Sequence, residues 1–434
     1  MTAEVAVMNK GALALAADSA VTIGNGTQAK IYNTVNKIFE LSESQALGIM
    51  IYGGLNFMGL PLEVIIKEYR RTLRGRPSFP TVRAAADAFR DHLETVPFSR
   101  DDAVLNLILI LARRFEDLSR KTQESILLNA PRGRVLRSKF NATLALVVQS
   151  EIDRVSSLPA CASLQRRSDR GILAGFDDVI DRLIDENLAQ FRPSATTRAS
   201  LHRLARLILH RNELSSHRSG VVVAGYGTDE ICPSLISHEM DGIVGGRLKF
   251  VETRDVDITR GQTEVEAIGF AQDDMIDQFM NGVSRDFETF SRTLWLQTLE
   301  QLAESVVVAS IPQPAVQAAV RQQITQAVIP NLAERVDQQI ADRKERIARQ
   351  SVVSMIQHMP KQELANLAAA LVDLTSLKRR VSAARETVGG EVDVAVISKS
   401  EGFVWVKRKH YFPPELNLRF TSRHYASDQR GGAQ

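Results

Sequence analysis

The chain has 434 residues, 44% of them hydrophobic and 24% charged, with 54 Lys and Arg against 51 Asp and Glu, so its formal net charge is +3. That length leaves room for two to three domains, or for one core with large additions. The net charge is too small for an electrostatic footprint on nucleic acid or a membrane surface, and two cysteines, Cys161 and Cys232, make neither a disulfide framework nor a metal spacing.

A reducing cytoplasm fits this cysteine usage. Gly11–Ala17 is apolar, but no basic region precedes it and Asp18 ends it, so no secretion signal is expected. Val104–Ala112 is far shorter than the roughly 20 residues of a membrane helix, and Asn106 interrupts it.

The N-terminal part alternates as strand, turn, strand. Ala3–Met8 and Ala12–Ala17 are separated by the turn Asn9-Lys10-Gly11. A polar loop is expected over Gly24–Asn33. Two further strands, Lys37–Leu41 and Ala46–Tyr52, flank a turn, and Gly53-Gly54 ends the pattern. The period then becomes helical over Leu60–Leu73 and Thr81–Leu93. Helices are expected at Asp102–Leu118, Asn141–Val155, Phe176–Phe191 and Thr196–Leu209.

Strand character returns at Gly220–Tyr226, Ser234–His238, Arg247–Val251 and Val265–Gly269, and a helix follows at Asp273–Met280. Phe287–Met359 reads as a helical block, which Pro312, Pro314 and Pro330 are expected to cut. Its stripe Leu332, Val336, Ile340 and Ile347 reads as a packing face. Pro360 opens one more helix, and Val392–Ser398 and Phe403–Lys407 form a closing hairpin. Strands and helices come in groups, which predicts an α+β fold of antiparallel sheets covered by helices.

The candidate chemistry starts at Thr2. Removal of Met1 leaves a hydroxyl and a free α-amine on one residue, and this pairing can activate a weak nucleophile. An α-amine titrates near pH ~8, so it is partly neutral at physiological pH. Asp18 follows sixteen positions after Thr2, Lys37 starts the third strand pattern, and Gly53 ends the fourth.

In this order the residues resemble those of proteasome β subunits and their simpler bacterial relatives, including the peptidase of the heat-shock-locus protease. The resemblance implies an N-terminal nucleophile hydrolase fold, a four-layer α-β-β-α sandwich. It covers residues 1–96, 218–282 and 360–412, with a helical insertion at 97–217, a second at 283–359 and a C-terminal tail at 413–434. It implies that Thr2 attacks a peptide carbonyl with its own amine as base, that Lys37 lowers the amine's pKa, and that Asp18 orients Lys37. The Gly53 amide is implied as oxyanion donor. Gly269-Phe270-Ala271-Gln272 stands where the family has Gly-Ser-Gly-Ser, and Glu386-Thr387-Val388-Gly389 where it has Asp-x-x-Ser. Glu386 and Gln272 are therefore the candidate supporting residues.

The implied activity is that of a threonine-type endopeptidase acting on peptides or unfolded protein from within a homo-oligomeric ring. No metal or organic cofactor is implied. The chain has no Gly-x-x-x-x-Gly-Lys-Ser/Thr loop, so an ATPase unfoldase would be a separate chain. Two alternatives stay open: a catalytically inactive structural or interaction protein on the same fold, and an N-terminal nucleophile amidase acting on a small amide.

Overall fold

Alternating apolar residues at the start of the chain pair into a hairpin. Strand β1 (Glu4–Asn9) runs antiparallel to β2 (Leu13–Ala17), with Val5 opposite Ala16 and Val7 opposite Ala14. Asn9 closes the turn. Its Oδ1 accepts from the amides of Gly11 and Ala12 at 2.9 and 3.1 Å, and its Nδ2 donates to the carbonyls of Ile356 and Met359. One buried carboxamide thus satisfies a strand turn and the end of a helix together.

The structure is a computed structural model and describes residues 3–23, 30–128, 139–165, 175–258, 264–381, 389–410, 412–413 and 416–419. The fold is mixed α+β with antiparallel sheets. The chain divides into two compact units, one of Met1–Val35, Ile258–Val396 and Val404–Gln434, the other of Asn36–Asp257 and Ile397–Phe403.

In the first unit, a small ribbon pairs β3 (Val21–Ile23) with β4 (Lys30–Tyr32). Here part of the expected polar loop is extended, because Ile31 and Tyr32 meet Thr22 and Val21 across the ribbon. The five-stranded sheet has the order β12 (Val265–Phe270), β1, β2, β13 (Asp393–Ser398), β14 (Gly402–Lys407). Helices at Asp274–Asn281, Gln350–Gln357 and Lys361–Val381 cover one face. Val5, Val7, Ala14 and Ala16 pack there with Ile276, Ile356, Leu364, Ala368 and Leu371. Ala6, Met8, Leu13 and Leu15 point the opposite way and are equally buried.

The long helical block also belongs to this unit. A 26-residue helix, Arg285–Ser310, ends before Pro312, and the next begins with Pro314 in its first turn. Pro330 was expected to cut the block and does not. Helix Pro314–Gln323 passes through a π-turn, Ile324–Val328, directly into helix Ile329–Arg343. Proline lacks an amide hydrogen and crowds the preceding turn. Here the turn before it is π-wound, the Ile329 amide donating to the Ile324 carbonyl, and the helical path continues through Pro330.

The second unit holds the other five-stranded sheet, ordered β11 (Arg247–Asp257), β10 (Ser234–Val244), β9 (Ser219–Gly225), β6 (Leu47–Gly53), β5 (Ile38–Glu40). After β6 a short hairpin pairs β7 (Asn56–Phe57) with β8 (Leu60–Pro61). Helices α1 (Leu62–Leu73) and α2 (Val82–Thr95) lay Ile65, Ile66, Tyr69, Ala85 and Phe89 on Ile49, Ile51, Val221 and Val223. Strand β10 runs past the expected His238 because two bulges, at Ser237/His238 and Met240/Gly242, absorb register shifts.

Helices α3 (Arg100–Leu128), α4 (Phe140–Ser156), α5 (Asp177–Leu188) and α6 (Ala195–His210) build a separate apolar core around Leu111, Phe115, Val148, Ile184 and Leu204. A buried polar cluster ties it to the sheet. Lys249 on β11 donates to the carbonyls of Ile208 and Glu213 and lies 3.4 Å from Asp241 on β10. Asp241 accepts both the amide and the hydroxyl of Ser215. Burial pushes the Lys249 ammonium below its ordinary range, against the pull of Asp241.

His238 on β10 is buried edge-on against Phe250, with Glu252, Arg83, Arg90 and Asp87 as its charged neighbours. Desolvation lowers its pKa below the ordinary 6.5. The folded state therefore takes up a proton less readily than the unfolded one. Stability that is present above pH ~6.5 is lost as the pH falls below it. Urea unfolding between pH 7 and 5 should show this loss, with a shallower slope in His238→Gln; identical slopes would remove His238 as its source.

Candidate functional site

Thr2 and Glu386 lie outside the described residues. Asp18 and Gln272 belong to the first unit, Lys37 and Gly53 to the second.

Asp18 follows β2 directly, where the strand pattern hands over to Ser19-Ala20. Its carboxylate is buried and bridges two chain segments. Oδ1 accepts from the Ala3 amide at 3.1 Å, and Oδ2 accepts from the Gly389 amide at 3.0 Å. The Asp18 amide in turn donates to the Ala3 carbonyl at 3.1 Å. The residue next to Thr2 is thus held on both its donor and its acceptor side. Each carboxylate bond is charge-assisted and stronger than a neutral one.

The surrounding segment is fixed by backbone contacts. Ser19 Oγ donates to the Glu391 carbonyl, and the Val35 amide donates to the Ser19 carbonyl. Gly390, at φ +80°, leaves no room for a side chain: a Cβ there would meet Asn33 at 2.9 Å. Gly389 carries no hydroxyl, and its amide is what reaches Asp18. In the sequence, Gly389 stands out only as a hydroxyl lost relative to the family pattern. A backbone donor leaves no side-chain signal, so nothing in the residue type points to that bond.

Gln272 sits at the corner after β12. Its carboxamide is buried, and Oε1 accepts from Arg379 Nε at 2.7 Å. The corner is tight, for a Cβ on Gly269 would press on Ile276 at 2.5 Å.

Lys37 precedes β5 and is among the largest fully buried side chains. Its carbonyl accepts from the Ile51 amide at 2.9 Å, which locks it to β6. The neighbouring Asn36 donates to Glu63 on α1 at 3.2 Å. Lys30, the other lysine in this stretch, is exposed on β4. A lysine is rarely buried without a partner, and a buried ammonium is suited to electrostatic work.

Gly53 ends β6 at φ +70°, opposite Ser219 of β9. The left-handed backbone turns the chain out of the sheet, and a Cβ there would stand 3.0 Å from the Arg218 carbonyl. Gly54 donates its amide to that same carbonyl, and a Cβ on it would meet the His217 carbonyl at 2.8 Å. Lys37 and Gly53 therefore share one end of the β5–β6 ladder, since Gly53 is two residues beyond the Ile51 that bonds Lys37.

Two cavities lie away from these residues. One of about 420 Å³ opens between α1 and α2, lined by Tyr69, Phe79 and His92. Another of about 500 Å³ is lined by Arg292, Pro330 and Asp337. Neither includes a candidate residue. Among the described residues no group of three His, Cys, Asp or Glu could hold a metal ion. No helix among them is long and apolar enough to cross a membrane.

Asp18→Asn keeps one acceptor and turns an amide donor toward another donor. It should lower unfolding free energy by about 1–3 kcal/mol. Chemical denaturation reads this directly, and a wild-type midpoint would show that the carboxylate clamp contributes nothing.

No protein-family model and no curated protein matches this chain.

Proposed function

We propose that this chain is a threonine-type peptidase of the N-terminal nucleophile class, similar to proteasome β subunits. The observation that carries the reading is the Asp18 carboxylate, which fixes the residue adjoining Thr2 through the Ala3 amide. The burial of Lys37 and the left-handed Gly53 at the end of β6 add to it. A four-layer sandwich is favoured by the burial of both faces of β1 and β2 while helices cover one of them.

In this mechanism the Thr2 hydroxyl attacks a substrate carbonyl and its proton passes to the Thr2 α-amine, directly or through water. Lys37 stabilises the neutral form of that amine as a nearby cation. The Gly53 amide receives the developing oxyanion. An acyl ester forms on Thr2 as the amine of the cleaved peptide leaves, and water then releases the acid. Substrates are peptides or unfolded protein. The assembly is a homo-oligomeric cytoplasmic ring, fed by a separate ATPase where unfolding is needed.

The test is intact mass after exposure to a peptide epoxyketone or β-lactone, beside Thr2→Ala. The expected result is one adduct on protein lacking Met1, absent from the variant, and slowed about a hundredfold or more by Lys37→Met. No adduct, or retention of Met1, would instead assign the chain to an inactive structural role. Turnover of small amides without turnover of protein would assign it to an amidase.

A further inference from the structure

Helix Arg285–Ser310 carries its apolar and charged residues the wrong way round for a helix lying in water. Phe287, Phe290 and Leu294 follow the spacing i, i+3, i+7, which sets them on one face. They are 59%, 62% and 52% exposed. The same face runs on through Gln297, Thr298, Gln301 and Ser305, none of them charged. The ions are on the other side. Arg292 Nε donates to Asp337 at 2.9 Å and Lys344 donates to Glu288 at 2.8 Å, so both pairs reach toward helix Ile329–Arg343 or the residue just beyond it. A surface helix ordinarily turns its apolar stripe inward and its charges outward. Here the charges are spent between neighbouring helices and the aromatic rings face out.

Charge and area identify what covers such a face. Arg285–Arg349 has eight Lys and Arg and eight Asp and Glu, a net charge of zero. It has no excess charge with which to attract a charged partner, and two copies of it meet without net repulsion. Leu302, Val306, Val328 and Leu332 in the same segment are a further 38% to 60% exposed. At ~200 Å² for a fully exposed large apolar side chain, these seven residues leave on the order of 700 Å² uncovered. A stable interface buries ~800 Å² on each partner. The helix has 26 residues and is therefore ~39 Å long, enough for two copies to lie against each other through several turns.

We propose that the face bearing Phe287, Phe290 and Leu294 is the contact between two copies of this chain, the helices Arg285–Ser310 packing together across a two-fold axis. Such a contact is isologous: each copy presents the same ridge and receives the same ridge. Aromatic side chains paired across it contribute beyond the area they bury. The contact lies within residues 283–359, outside the part of the chain that resembles proteasome subunits, and it does not depend on Thr2 being a nucleophile.

The experiment is sedimentation velocity on the full chain. Wild type is compared with an acidic variant, Phe287→Glu with Leu294→Glu, and a basic one, Phe287→Lys with Leu294→Lys. A control, Leu105→Glu with Leu146→Glu, alters exposed leucines of α3 and α4. The expected result is that each ridge variant alone has half the mass of wild type, because like charges now face each other, while the control keeps the wild-type mass. An equimolar mixture of the acidic and basic variants should regain the wild-type mass, which a change acting through misfolding cannot do. A monomeric wild type would overturn the proposal and leave the face to a different partner. Ridge variants that keep the wild-type mass, or a mixture that stays at half of it, would overturn it as well. None of these masses depends on an adduct at Thr2, so the peptidase reading and this one fail separately.

Discussion

A buried carboxylate with two backbone amides as partners constrains the first unit more than any other single group. Asp18 joins the start of β1, the end of β2 and the segment that leads into β13. A hydrophobic contact at this point would hold the three segments together without fixing their register. A carboxylate has two oxygens with defined directions, so each amide must arrive along its own line. Gly390, next to the donor, permits that approach, since a Cβ there would stand 2.9 Å from Asn33. Position and burial come from the same bonds, and the residue beside Thr2 is held by both.

The two helical additions solve different packing problems. The bundle from α3 to α6 buries its own leucines, isoleucines and Phe115, so it carries a core that any compact domain requires. The helices from Arg285 to Arg349 do not. Phe287, Phe290 and Leu302 are each about 60% exposed, and much of what joins the helices is ionic: Arg292 with Asp337, Lys344 with Glu288, Arg321 with Glu304. Exposed ion pairs of this kind contribute little each. The length of these helices rests mainly on their internal hydrogen bonds and on the few residues, such as Val307 and Ile329, that are buried.

Much of the fold was legible because periodicity reports burial. Val5 and Val7, or Leu62, Ile65, Ile66 and Tyr69, declare a strand and a helix by spacing alone. The ribbon at Lys30–Tyr32 was hidden because both of its faces are wet and its pattern is short. Pro330 misled because its usual effect was cancelled by a π-turn, and a hydrogen-bonding shift has no letter in the sequence. For the candidate site, residue types indicated Asp18, Lys37, Gly53 and Gln272. They did not indicate what each one bonds. The Ala3 and Gly389 amides are invisible to a reading by side chain, and nothing in the residue types of Lys249 and Asp241 says that the two meet in the interior.

That second buried lysine bears on how such a chain can be assembled from parts. Lys249 belongs to the sheet, yet two carbonyls that solvate it come from Ile208, at the end of α6, and Glu213, just beyond it. Excising residues 97–217 and rejoining the ends would remove both carbonyls and leave an ammonium inside the protein with its partners reduced chiefly to Asp241. A buried charge stripped of partners is strongly destabilising. The helical bundle is therefore not a module that can be lost and regained at no consequence. Once Lys249 and the bundle were both present, each made the other difficult to remove, and any shorter descendant would need an apolar residue at position 249 first.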